Sequence, residues 1–132
     1  MKKYFSIFAC LLLLTGCSQS EPKSTQSIKT VVGSDFKAMV ETNEYTLIDI
    51  RTPEELLPAN GGKLFEEALN IDFYAANFRE KIAALDPTKK YLLYCHSGNR
   101  SGQALDIMKQ AGFQDVADLG GGKVRWDAKY QN

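Results

Sequence analysis

The sequence predicts an α/β fold with a parallel sheet covered on both faces, from two features and their order. Short apolar runs too continuous for a one-sided sheet occur at 46–50, 91–94 and 116–119. Amphipathic stretches lie between them, and strands alternating with helices build parallel sheets.

Taken in order, Ser34 is placed to cap a short helix whose apolar side is Phe36, Met39 and Val40. Residues 46–50 follow as a buried strand. Thr52-Pro53-Glu54-Glu55 combines a capping Thr, Pro at the first helical position and Glu three residues on, so a short helix starts there. Pro58 and Asn60-Gly61-Gly62 end it, and 68–71 reads as a weak strand. Asn77 can cap a helix carrying Phe78, Ile82 and Leu85 on one face, ahead of the strand at 91–94. A longer helix over 101–111 buries Ala104, Leu105, Met108 and Ala111, with Gly112 at its C-terminal cap. The strand at 116–119 runs into Gly120-Gly121-Gly122, a turn that permits close backbone approach.

The chain has 132 residues, 44% hydrophobic and 24% charged, which fits one globular domain. Its 16 basic and 16 acidic side chains cancel, so nothing in the balance points to nucleic acid. The N-terminus differs in kind: Lys2 and Lys3 precede an apolar run over 4–14, then Thr15 and Gly16, the order of an export signal. A run this short falls well below the roughly 20 residues of a membrane span. Leu14-Thr15-Gly16-Cys17 resembles the lipobox of bacterial lipoproteins. The resemblance implies cleavage after residue 16, lipidation of Cys17, and a membrane anchor in the cell envelope; Ser18 at the next position implies transport to an outer membrane, facing the periplasm, where one exists. Residues 18–27 contain no apolar side chain and read as a flexible spacer of about 35 Å at full extension, with the folded domain over 28–132.

With Cys10 in the signal and Cys17 lipidated, Cys95 is the single free thiol of an exported domain, either inert or kept for its reactivity. Chemistry in parallel sheets collects at the carboxyl ends of the strands. Asp49 and Arg51 end one apolar run and Cys95 another, where Cys95-His96-Ser97-Gly98-Asn99-Arg100-Ser101 joins a strand to a helix. Its small residues allow a tight loop whose N–H groups converge as an anion nest. Lowering a thiol pKa from ~8.5 to ~6.5 requires about 2.7 kcal/mol, and a helix N-terminus gives only ~0.3 to 1, so direct N–H bonds must add to the dipole.

That loop resembles the active-site loop of the rhodanese family of sulfurtransferases. Leu47-Ile48-Asp49-Ile50-Arg51-Thr52-Pro53-Glu54-Glu55 is similar to the family's strand-and-turn motif, and Gly121-Gly122 with Trp126 to its closing turn. The resemblance implies a rhodanese fold with a sheet of about five strands, Cys95 as the nucleophile carrying a sulfane sulfur, His96, Ser97, Gly98, Asn99, Arg100 and Ser101 as the substrate-binding loop, and Asp49 and Arg51 as braces. It implies no cofactor. The partners are a small sulfur donor such as thiosulfate and a thiophilic acceptor, cyanide or a thiol, with a protein acceptor as a further possibility. The alternative is a tethered sulfur carrier with little small-molecule turnover.

Residues 60–68 depart from the family, which commonly has a His-Ile-x-Gly-Ala-like turn where this chain runs through Glu67. If that Gly has positive φ, Glu67 must adopt another conformation. Cysteine phosphatases place five residues between Cys and Arg, room for a phosphoryl group; here four intervene, a ring suited to one sulfur atom. His96, the only His, has no further ligands around it for zinc, and there is no Cys-x-x-Cys, so no metal site is expected. His96 reads as a pocket-wall or solvent-facing side chain, Trp126 as core, and Glu54, Glu55, Glu66 and Glu67 as solvated charges.

Overall fold

The apolar runs form the centre of a five-stranded parallel sheet in the computed structural model, which describes residues 25–131. In chain order the elements are β1 (Ser27–Val31), α1 (Gly33–Glu41), β2 (Thr46–Asp49), two 3-10 turns (Pro53–Leu56 and Pro58–Asn60), β3 (Leu69–Asn70), α2 (Phe78–Ala83), β4 (Lys90–Tyr94), α3 (Asn99–Gln110), β5 (Asp115–Leu119) and α4 (Gly122–Tyr130). The strand order is β1-β5-β4-β2-β3, and every pairing is parallel.

Successive strand residues point to opposite faces, so one sheet feeds two cores. Ile48, Ile50, Leu93, Cys95 and Val116 join Phe78 and Ile82 of α2 and Ala104, Leu105 and Met108 of α3. Leu47, Leu92, Tyr94, Ala117 and Leu119 join Phe36 of α1 and Trp126 of α4. Phe65 fills the second core from a loop, its ring centroid 5.4 Å from Trp126 and 5.6 Å from Tyr94 in edge-to-face contacts.

Several local expectations are corrected. Ser34 does not cap α1: the helix begins one residue earlier, and the Ser34 hydroxyl turns to the Asp35 carboxylate at 3.4 Å. Asn77 stands at the N-cap of α2 but makes no side-chain cap bond there. Pro58 opens a second 3-10 turn rather than closing the first, because proline suits a first helical position. The Thr52 capping box is present in full.

Two elements had no sequence expectation. Strand β1 is a mostly exposed edge strand with only Ile28 and Val31 apolar among five residues, so it merges with the polar segment before it. It is tied down from Gln26, whose side-chain amide donates to the Phe113 carbonyl at 2.9 Å, and the Ser27 N–H donates to Gln114 O at 2.7 Å. The fold therefore starts before residue 28. Helix α4 buries Trp126 as its one large apolar residue, too little for a periodic signal. The export-signal and Cys17 expectations lie outside the described residues. Among the described residues no helix is long and apolar enough to cross a membrane.

At the carboxyl end of β2 the backbone is held by a buried ion pair. Arg51 Nη2 lies 2.7 Å from Asp49 Oδ2, and both side chains are almost wholly buried. The guanidinium also donates to the carbonyls of Glu55 at 3.2 Å and Gly62 at 2.9 Å, so it organises both 3-10 turns and the residue 60–62 bend. Asn70 adds a second clasp, donating to the carbonyls of Asp49 and Arg51 at 3.0 and 2.8 Å. Removing one partner of a buried pair leaves an uncompensated charge and costs about 3–5 kcal/mol. Asp49→Ala should thus unfold at markedly lower urea concentration than wild type, whereas replacing Asp49 and Arg51 together by Leu and Met should recover much of that loss.

Candidate active site

The site is built where three loops meet at the carboxyl edge of the sheet. Strand β4 delivers Cys95, and its neighbours β2 and β5 deliver Asp49 and Arg51 on one side and Gly120-Gly121-Gly122 on the other. The segment between β4 and α3 is short because Gly98 takes a left-handed conformation at φ 91°, which turns the chain sharply into the helix.

Cys95 is fully buried. Its Sγ accepts the Gly98 N–H at 3.1 Å and lies 3.6 Å from the Ser101 hydroxyl. The expected nest is thus represented at the sulfur itself by one N–H group. Asn99, Arg100 and Ser101 form the first turn of α3, whose N–H groups have no acceptors within the helix.

The opposite wall is glycine for a steric reason. The first-turn N–H groups of α4 at Lys123 and Val124 donate to the carbonyls of Cys95 and His96 at 2.9 and 3.0 Å. A Cβ on Gly122 would come within 2.6 Å of the His96 carbonyl carbon, and one on Gly98 within 2.9 Å of the Gly121 nitrogen. The expected close backbone approach is therefore present, and it is made to the cysteine loop.

The loop side chains divide. Gly98 and Ser101 reach the sulfur, whereas His96, Ser97 and Asn99 are exposed at the rim. The Asn99 side chain accepts from Gln103 at 3.0 Å. Arg100 turns aside: its Nη1 and Nη2 each lie 2.7 Å from a different oxygen of Glu55, and its guanidinium stands 5.4 Å from the Tyr74 ring centre. Asp49 and Arg51 touch neither Sγ nor the loop side chains, and brace the site through the backbone as described above.

Glu55 corrects the expectation of a solvated charge. Its carboxylate accepts the Thr52 N–H at 3.0 Å as well as both Arg100 bonds. The Arg100 guanidinium holds its carboxyl down at about 2, with the Thr52 N–H helping against desolvation. The capping-box spacing, read at residues 52–55 only as a helix start, was the signal that could have turned this carboxylate back toward its own helix. Glu67 takes no left-handed conformation, and the positive φ angles of this region fall on Gly61 and Gly62. Among the described residues no group of His, Cys, Asp and Glu side chains is placed to hold a metal ion.

A thiol at the end of a central parallel strand, over a tight loop that opens a helix, defines a loop-cysteine site of the α/β class. The chain belongs to the Rhodanese-like domain family, whose profile matches residues 33–129. It is 32% identical over 88 residues to a sulfurtransferase of Allochromatium vinosum, covering 67% of this chain and 77% of the relative. It is 31% identical over 103 residues to a putative sulfurtransferase, YtwF, of Bacillus subtilis, covering 77% of this chain and 93% of the relative. A probable adenylyltransferase/sulfurtransferase, MoeZ, of Mycobacterium tuberculosis is 37% identical over 87 residues, covering 64% of this chain, but the match spans only 21% of that longer protein. Among solved structures, a rhodanese-related protein of Thermoplasma volcanium superposes with TM-score 0.65 at 28% identity, over 77% of this chain and 93% of that one. The rhodanese-like fold is thereby established.

The Glu55 carboxyl titrates below its ordinary 4.5, so the stability it contributes is present above that value and lost as pH falls toward about 2. Glu55→Gln should melt lower than wild type at neutral pH, by about 1 kcal/mol of stability for a partly exposed charged pair. The two melting curves should converge as the pH is taken down to about 2.

Proposed function

We propose that the chain is a sulfurtransferase working by double displacement through a persulfide on Cys95. The observation that carries this reading is the Gly98 N–H directed at Cys95 Sγ at 3.1 Å, in a loop with four residues between Cys and Arg. The Cys95 thiolate attacks the outer sulfur of a donor such as thiosulfate; the donor's sulfur–sulfur bond breaks, and sulfite leaves with its electron pair. An acceptor nucleophile then takes the terminal sulfur and the Cys95 thiolate returns. Because Cys95 is buried, the donor reaches it through the exposed rim at His96 and Ser97.

A second reading, a carrier that receives sulfur from a protein and passes it on, is favoured by Arg100. Its guanidinium is already neutralised by Glu55, so the loop's own cation is engaged before an anionic donor such as thiosulfate arrives. We further propose that the domain is held in the cell envelope by a lipid on Cys17, in keeping with the lipobox-like Leu14-Thr15-Gly16-Cys17.

Thiosulfate should add one sulfur to the Cys95 peptide of the purified chain, measured by mass, and cyanide should remove it. Cys95→Ser should gain no sulfur there and show no thiosulfate:cyanide turnover; retained turnover would remove Cys95 from the nucleophile's role. Full persulfide formation with turnover reduced at least about a hundredfold below the 1–10³ s⁻¹ usual for enzymes would select the carrier. For the anchor, Cys17→Ser should abolish metabolic labelling with fatty acid and shift the chain out of the detergent phase. A wild-type chain that is cleaved after Gly16 yet stays in the aqueous phase would reduce Cys17 to an ordinary residue.

A further inference from the structure

Behind the sulfur lies a buried carboxylate with no part in the steps above. Asp118 faces the α2 and α3 side from β5 and is 1% exposed. One of its oxygens accepts the Thr30 hydroxyl of β1 at 2.5 Å, and the other accepts the Ser101 hydroxyl of α3 at 3.0 Å. The same Ser101 oxygen stands 3.6 Å from Cys95 Sγ and 3.2 Å from the Gly98 carbonyl, which already accepts the Gly102 N–H at 3.0 Å.

A hydroxyl owns one proton, and that fixes the logic of the chain of groups. With Asp118 ionised, Ser101 gives its proton to the carboxylate and offers Sγ only a lone pair, which suits an S–H donor and opposes a thiolate. With Asp118 protonated, the carboxyl donates to Ser101, and the Ser101 proton is released to the sulfur, where a negative charge holds it more strongly than the occupied Gly98 carbonyl does. Resting on the sulfur-transfer reading, we propose that Asp118 is the proton partner of Cys95: one proton passes from sulfur to carboxylate through the Ser101 hydroxyl, so that thiolate and carboxylate do not coexist. The step balances. The S–H bond breaks as the Ser101 O–H forms anew, the former Ser101 proton joins Asp118, and a single negative charge moves from oxygen to sulfur.

Burial pushes the Asp118 carboxyl up from its ordinary value against the Thr30 and Ser101 bonds, and the Asp106 carboxylate on α3 adds to the rise. Thr30 and Ser101 bond to it directly, with Cys95 beyond Ser101, its own backbone N–H acts on it as well, and the exposed Asp106 carboxylate acts on it through space. Asp118 is a positioning residue in this scheme, acting through Ser101.

The full-length chain tests this by the rate of Cys95 alkylation with iodoacetamide, read on the Cys95 peptide from about pH 5 to about pH 9, a measurement that involves no sulfur donor. Asp118→Asn keeps an acceptor for Thr30 and permanently donates to Ser101, as the protonated acid does. It should alkylate as fast as wild type at the acid end, where the wild-type carboxyl is itself protonated, and about tenfold faster toward the alkaline end, where wild-type Asp118 is ionised. In a Ser101→Ala background the same replacement should change nothing. Thr30→Val, which removes a bond that favours the carboxylate, should accelerate in the same direction by less and serves if Asp118→Asn does not fold. An Asp118→Asn profile that matches or lags wild type, an acceleration that survives Ser101→Ala, or no acceleration in Thr30→Val overturns the proposal. If the acceleration appears while wild type takes no sulfur from thiosulfate, the sulfur-transfer reading fails and the proton pairing stands; persulfide formation with unchanged alkylation has the opposite meaning.

Discussion

Two backbone hydrogen bonds hold the site in its shape: the N–H groups of Lys123 and Val124, otherwise orphaned in the first turn of α4, end on the carbonyls of Cys95 and His96. The loop that carries the sulfur is therefore also the N-terminal cap of the last helix. With those carbonyls pulled toward α4, the loop is free to turn the Gly98 N–H toward the sulfur. The arrangement demands contact between bare backbones, since a Cβ on Gly122 would run into His96 and one on Gly98 into Gly121. Each such bond contributes about 0.5–1.5 kcal/mol to stability, but the geometric consequence is larger, because helix, loop and strand cannot shift separately.

Charge is distributed by the same economy of position. Three acidic groups lie around the loop, each with a different neighbour: Asp49 with Arg51, Glu55 with Arg100, and Asp118 with two hydroxyls. The first two are ion pairs that fix backbone. The third has no cation, and a buried carboxylate without one is free to change its protonation state. Around the sulfur, then, Arg51 and Arg100 are already matched, and a backbone N–H and a hydroxyl stand against it with an acid behind.

The sheet was legible in the sequence wherever burial on both faces made the runs continuous, as at residues 46–50, 91–94 and 116–119. The cysteine loop was legible because glycine and small polar residues interrupt such a run at its end. Strand β1 was not, since an exposed edge strand with two apolar residues in five has the composition of a polar linker. Helix α4 was not either, because Trp126 is its one large buried apolar side chain and a single residue has no period. Single-chain spacing located Arg100 and Glu55 but not their bond, which depends on two segments 45 residues apart meeting over Tyr74. Asp118 was hidden for a similar reason: in the run VADL it reads as a break in an apolar strand, and only packing against α3 gives it Ser101 as a neighbour.

The direction of β1 has a consequence for how the domain presents itself. This strand runs parallel to β4 and enters the sheet at its amino edge, with Ser27 level with Asp115 and Val31 level with Leu119. Gln26 fastens that entry to the carbonyls of Lys109 and Phe113, at the far end of α3 from the cysteine loop. Chain, strand and helix thus place the chain's entry into the sheet at one pole of the domain and the sulfur at the other. Nothing that packs against the entry of β1 or the end of α3 therefore stands in the way of a molecule approaching the cysteine loop.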